Sequence, residues 1–248
     1  MDIQTWVIVL SIVFLSGIVK GTTGFGFALF SLPLLAHFIP IKLLIPLLTL
    51  FNLFSSIQIV YQLRSYKLNR AVVLLSVMGI LGVVLGSLLL KFLPDHWLKL
   101  LASVVLIVLS ILFLIGYRFK IRKLRRGNAI AGFVSGILGG STAVSGPPLA
   151  LFLTSLELET QRFRFTFAWY SIITAVVATF DYIKIGVVHL ETLKLFFAGA
   201  PLLVVSILLG KYISKKVSPR LFYKAIIIIS LLSGFFLFFS CLKNFLNN

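Results

Sequence analysis

Ten apolar stretches, most of them close to the length of a membrane-crossing helix, follow one another through this sequence with only short polar links between them. A hydrocarbon core of roughly 30 Å takes about 20 helical residues per crossing, so a chain built this way has almost nothing left for a water-soluble domain. The stretches are continuous and rich in Leu, Ile and Phe. They lack the period-two alternation that a strand facing a barrel lumen needs. Composition excludes the soluble alternative: with 60% hydrophobic and 12% charged residues and a mean hydropathy of +1.12, the 248 residues carry more apolar surface than their own core can bury. The fold class is therefore all-α, a polytopic helical membrane protein.

The stretches run over about 3–22, 25–39, 43–63, 71–91 and 96–117, then 129–138, 144–156, 165–185, 193–212 and 221–242. The first has Asp2 where a secretory signal carries a basic cap, and it lacks a small-x-small cleavage pattern, so it is read as a mature helix. A basic link, RFKIRKLRR, separates two groups of five. This organises the chain into a first transmembrane repeat over 1–117, a cytoplasmic linker over 118–127 and a second repeat over 128–248.

Two glycine-rich stretches support the repeat. GIVKGTTGFGFALFSLPLL from Gly17 and GFVSGILGGSTAVSGPPLA from Gly132 match without a gap at an offset of ~115 residues, pairing Gly17 with Gly132, Gly21 with Gly136 and Gly24 with Gly139. Further on, Gly86 aligns with Gly210. Basic residues set the orientation. With the central link in the cytoplasm, cytoplasmic ends hold more Lys and Arg than outer ends by roughly sixteen to six, which places the amino terminus outside. The repeats then face opposite ways, and inverted repeats with interrupted helices in matching places point to a secondary transporter with its site near the bilayer midplane.

The net charge of +17 is accounted for by these loop residues, and no basic patch interleaved with aromatics accompanies it, so nucleic acid is not a partner. One cysteine, Cys241, excludes an internal disulfide. His37, His96 and His189 stand apart without second ligands at metal spacing, and no Walker motif, paired carboxylates or Gly-x-Ser-x-Gly elbow is present, so neither a metal site nor an enzyme is expected.

The glycine stretches carry the candidate site. Segments 25–39 and 144–156 are too short for upright crossings and suit half-helices sheltered by protein. Gly21, Gly24 and Gly26 in one, and Gly139 and Gly140 in the other, are expected to break the helix and admit a ligand to the backbone. A helix resuming after a break, as at Gly146-Pro147-Pro148, presents a positive dipole end to an anion. Thr22, Thr23, Ser141, Thr142 and Ser145 add hydroxyl donors. Gly17, Gly82 and Gly132 have the small-residue spacing of close helix packing. Lys20, within an apolar segment, either counters a substrate's charge or snorkels to the interface. Asn52 and Gln58 serve a helix contact or the substrate path. Asp181 is expected to pair with Lys184, one turn away.

At KGTTGFGFALFSLPLL and SGILGGSTAVSGPPLALFL the chain resembles the sulfite exporter TauE/SafE family of membrane transporters, and the two-half layout extends the likeness over essentially the whole chain. The resemblance implies a bacterial inner-membrane protein of about eight spans that moves sulfite, sulfonates or related organosulfur anions, outward in the sense that the family is named for export, with no cofactor. It carries the family's glycine and proline elements onto Gly21, Gly24, Gly26, Gly139, Gly140, Gly146, Pro147 and Pro148. The partners expected are a small anion, the lipid bilayer and a coupling proton. A passive anion channel, or a carrier of a different small solute, fits the same residues, and the small-residue faces are compatible with a homo-oligomer.

Overall fold

The structure is a computed structural model and describes residues 3–67, 70–117, 124–214 and 219–246. Residues 118–123, most of the expected linker, lie outside that set together with Lys215 and Lys216; residues 124–127 belong to a helix. The described secondary structure is helical throughout: α1 (Ile3–Thr23), α2 (Phe27–Leu35), α3 (Ile41–Gln62), α4 (Arg70–Phe92), α5 (Asp95–Leu114), α6 (Leu124–Thr142), α7 (Gly146–Thr154), α8 (Thr160–Lys184), α9 (Leu190–Ile213) and α10 (Pro219–Leu246). Six of them, α1, α3, α4, α5, α8 and α9, contain stretches long and apolar enough to cross a membrane. Large apolar side chains such as Leu81, Phe197, Leu232, Phe236 and Phe239 are exposed on the outside of the bundle, a surface that only lipid can cover. The chain is a multi-pass membrane protein.

Both expected interruptions are present. After Thr23 the chain turns through Gly24 and Gly26, whose φ angles of 86° and 87° are left-handed, and resumes as α2. After Thr142 it turns at Ala143, φ 59°, and resumes as α7. Gly139 and Gly140 are therefore not the helix breakers that the sequence suggested. They lie inside α6, and the break falls beyond them on a non-glycine residue that accepts a strained conformation. Thr23 and Thr142 close the two breaks alike, their Oγ1 atoms accepting the N–H of Phe25 (3.3 Å) and Val144 (3.4 Å).

Matched on their helix ends, the two breaks pair at another offset. Thr23 corresponds to Thr142, Gly21 to Gly140 and Lys20 to Gly139, one helical turn beyond the match made on glycines alone. Glycines spaced one turn apart pair nearly as well after such a slip, so the sequence by itself does not separate the two registers.

Glycine determines how the bundle closes. Gly82 and Gly86 of α4 and Gly132, Gly136 and Gly140 of α6 bring the two backbones so close that a Cβ at Gly82 would stand 2.2 Å from Phe133 O, and one at Gly136 2.3 Å from Gly79 O. On α1, Gly21 meets Ile207 O of α9 at 2.4 Å by the same measure, and Gly210 meets Ile18 O at 2.4 Å. Such backbone contact replaces side-chain burial as the packing force in lipid. The pairing exchanges the two groups of five: α1 packs on α9 and α6 on α4, while α3 packs on α8 and α5 on α10. Inside this frame the short helices are sheltered. Leu29, Leu32 and Leu35 of α2 and Leu149, Leu151 and Leu153 of α7 are buried, as irregular backbone at membrane depth requires.

Substituting Gly136→Ala should lower the stability of detergent-purified protein by about 1 to 3 kcal/mol, because the carbonyl that the new methyl meets cannot swing aside. Thermal unfolding measures this, and an unchanged midpoint would show that α4 and α6 have room to part.

Candidate functional site

α1 ends in a turn that carries a lysine, and the lysine does not snorkel. Lys20 is fully buried, and its Nζ donates to Asn52 O (3.0 Å), Asn52 Oδ1 and Ser56 Oγ (2.9 Å) on α3. All three acceptors are neutral. A lysine tied only to neutral groups carries its charge at this depth only at a large solvation cost, so an anion beside it would favour the charged form.

Asn52 links that lysine to a second feature. Beyond its amide lies a narrow cleft between α3, α4, α8 and the break after α6, lined by Thr49, Asn52, Gly139, Ala143, Ser145 and Thr174 among others. Its cavity volume, about 10 Å³, has room for a single water. The cleft gathers Asn52, Gly139 and Ser145, with Lys20 on the other side of Asn52. A Cβ on Gly139 would lie 2.9 Å from Ser145 Cβ, so the absence of a side chain there is what leaves the cleft open.

The two resumed helices meet. Gly146 at the start of α7 stands against Phe25 and Gly26 at the start of α2, a Cβ built on it falling 3.8 Å from the Phe25 ring and 3.9 Å from Gly26 N. Neither N-cap residue, Gly26 or Ser145, makes a side-chain cap bond. Each end carries roughly half a positive charge, so their approach favours an anion nearby. Their donors differ. The first-turn amides of α2 have no acceptor within the helix, whereas Pro147 and Pro148 supply no N–H, leaving α7 with a fixed shape and a dipole but few donors.

Ser145 apart, the hydroxyls expected to face a ligand are turned onto nearby backbone. Thr22 Oγ1 donates to Val19 O (2.8 Å) and Ile18 O (3.0 Å), Thr23 Oγ1 to Phe25 O (2.6 Å), Ser141 Oγ to Ile137 O (2.8 Å) and Thr142 Oγ1 to Leu138 O (2.7 Å). Gly21 and Gly140 sit in the α1–α9 and α4–α6 contacts, a Cβ at Gly140 falling 2.5 Å from Val83 O.

α8 contributes groups that the sequence reading left aside. Arg164 is 6% exposed, and its Nη2 donates to Gly21 O (2.9 Å), a carbonyl in the last turn of α1. The sequence pattern counted it with Arg162 as a loop charge. Arg162 is indeed exposed, but Arg164 reaches inward, and its setting between Phe163 and Phe165 was the available signal. Tyr182 Oη donates to Gly140 O (2.8 Å), capping α6 as Arg164 caps α1. Asp181 does not depend on Lys184: its Oδ2 accepts from Ser87 Oγ of α4 (3.1 Å). Gln58 Nε2 donates across to Val204 O of α9 at 3.4 Å, a helix contact. Outside the bundle interior, Tyr66 Oη donates to Glu159 at the start of α8 (3.1 Å), and desolvation, this bond and the carboxylate charge push the phenol's pKa up, keeping it a neutral donor.

Comparison with known proteins supplies the remaining finding. Residues 9–237 match the family described as sulfite exporter TauE/SafE. No curated protein matches this chain, and neither does any solved structure. With nearly its whole length covered and its long helices built to cross a bilayer, the chain belongs to the sulfite exporter TauE/SafE family, a family of membrane transporters.

Proposed function

We propose that this protein is a secondary transporter of the inner membrane that moves a small oxyanion, sulfite or a related organosulfur anion, by alternating access. The carrying observation is the juxtaposition of a fully buried lysine, held by neutral groups alone, with two broken helices whose N-terminal ends touch. An anion lodged there offsets the ammonium and both dipole ends and takes up the free amides of α2. The exchange of packing partners between the two groups of five fits a two-fold arrangement of halves, and the excess of basic residues at the expected cytoplasmic ends puts the amino terminus outside in this reading. The cleft that leads to Asn52 is narrowed to one water, which suits an occluded stage of a carrier better than an open pore.

In the cycle, the anion approaches from the cytoplasmic face, enters the cleft beside Asn52 and draws on Lys20. One pair of packed helices then rocks against the other across the breaks, opening the opposite side. In this scheme export, the direction the family description suggests, is driven either by protons moving inward in exchange for the anion or by the membrane potential acting on the anion's own charge.

Labelled sulfite should exchange against unlabelled sulfite across proteoliposomes carrying the protein and should saturate with concentration; flux that rises linearly and shows no counterflow would identify a pore instead. Gly139→Leu, which fills the cleft, should bring flux down to that of empty vesicles while the protein still reaches the membrane, and wild-type flux in this variant would remove the cleft from the path. Sulfite at about a hundred times its dissociation constant should stabilise the wild type by roughly 2.7 kcal/mol against thermal unfolding. Lys20→Met should lose that stabilisation, and an equal shift in the variant would mean that the lysine does not meet the anion.

A further inference from the structure

A second buried cation stands at the same turn of α1. Lys20 leaves that turn towards α3, and Arg164 arrives at it from α8. Arg164 presents five N–H donors in a rigid fork. Of the donors that form the fork's side edge, Nη2 is used on Gly21 O, while Nε is buried and has no hydrogen-bond partner. A buried donor left unpaired is costly and rare, and this one belongs to a charged group that is 94% buried by its 6% exposure.

The backbone makes space for it. At Gly24 the chain passes so close to the arginine that a Cβ would lie 2.6 Å from Arg164 Cγ and 3.3 Å from Nε. The unpaired Nε therefore lies packed against the turn that joins α1 to α2, a few residues before the helix start that already favours an anion. Gly21 O is a neutral acceptor. An anionic oxygen offers the guanidinium a full opposite charge where Gly21 O offers only a dipole, and an oxyanion with two adjacent oxygens matches the fork's edge.

We propose that Arg164 is a substrate contact that selects doubly charged oxyanions: it rests on Gly21 O when the site is empty and turns its Nε and Nη2 edge to the anion when the site is filled. The proposal rests on the anion-transport reading above and specifies the charge state of the substrate. Lys20 and Arg164 are both buried with only neutral partners, so a dianion such as the fully ionised form of sulfite balances both, whereas a monoanion or a zwitterionic sulfonate leaves one charge uncompensated.

The test uses the full-length protein in proteoliposomes, with labelled sulfite as the transported species and sulfate and methanesulfonate as competitors of similar size and different charge. In the wild type sulfate should compete about tenfold better than methanesulfonate, consistent with a second charge-assisted contact. Arg164→Gln should raise the half-saturating sulfite concentration by about tenfold and bring the two competitors level, while the maximal rate changes less. A merely structural cap would alter the amount of active protein and leave the competitor ratio where it was; an unchanged ratio in Arg164→Gln overturns the proposal. Should that variant not reach the membrane, Arg164→Lys keeps the charge without the fork, and it should weaken sulfite while retaining the preference for sulfate. Wild-type affinity in Arg164→Lys overturns the fork contact. Absence of sulfite flux in the wild type would instead count against the transport reading itself.

Discussion

Lipid offers no hydrogen-bond partner to a broken helix, and the structure depends on how two such breaks are satisfied. Each leaves carbonyls at the end of one helix and amides at the start of the next, groups that are expensive to expose at membrane depth. The carbonyl ends are both met from α8, by Arg164 at Gly21 and by Tyr182 at Gly140. These two residues are separated by about 27 Å of helical rise, so a single helix reaches both interruptions from opposite ends. The amide ends are not met in the same way. The two starts lie against each other, neither N-cap residue makes a side-chain cap bond, and α7 has few donors because Pro147 and Pro148 carry no N–H. The arrangement meets one carbonyl at each helix end from within the protein and leaves the first-turn amides of α2 for something else.

The two breaks share a frame but differ in chemistry. Where one has Lys20, the other has Gly139, and both positions border Asn52, the lysine through hydrogen bonds and the glycine across the cleft. Where α2 begins with Phe27 and Ala28, α7 begins with a glycine and two prolines. One half thus contributes charge and amides, while the other contributes space and a fixed backbone. Close glycine contacts along α1–α9 and α4–α6 keep the frame rigid enough for this difference to matter, since backbone in contact with backbone has little freedom to yield.

Much of this architecture was legible in the sequence. Apolar runs gave the helices, and Gly24 and Gly26 marked the first break because left-handed backbone there needs them. The packing role of Gly17, Gly82 and Gly132 followed from their spacing. The second break was misplaced by a turn. Gly139 and Gly140 look like helix breakers, yet their lack of side chains serves the cleft and the contact with α4, and the chain bends at Ala143, whose composition gives no warning. The destination of Lys20 was hidden because its partners lie more than thirty positions away on α3. Arg164 was hidden for a different reason: a basic residue at the start of a span satisfies the orientation rule whether it points to water or inward.

The central claim is that a negatively charged solute lodges where the α1–α2 and α6–α7 breaks converge. It is most directly tested by determining the structure with selenite, a heavier relative of sulfite, and locating selenium by its anomalous scattering. The account predicts a peak inside the bundle, within hydrogen-bonding reach of Lys20 or of the first-turn amides of α2 and bordered by Asn52. Selenium found only at surface lysines and arginines, with the convergence of the breaks closed and unoccupied at saturating selenite, would contradict it.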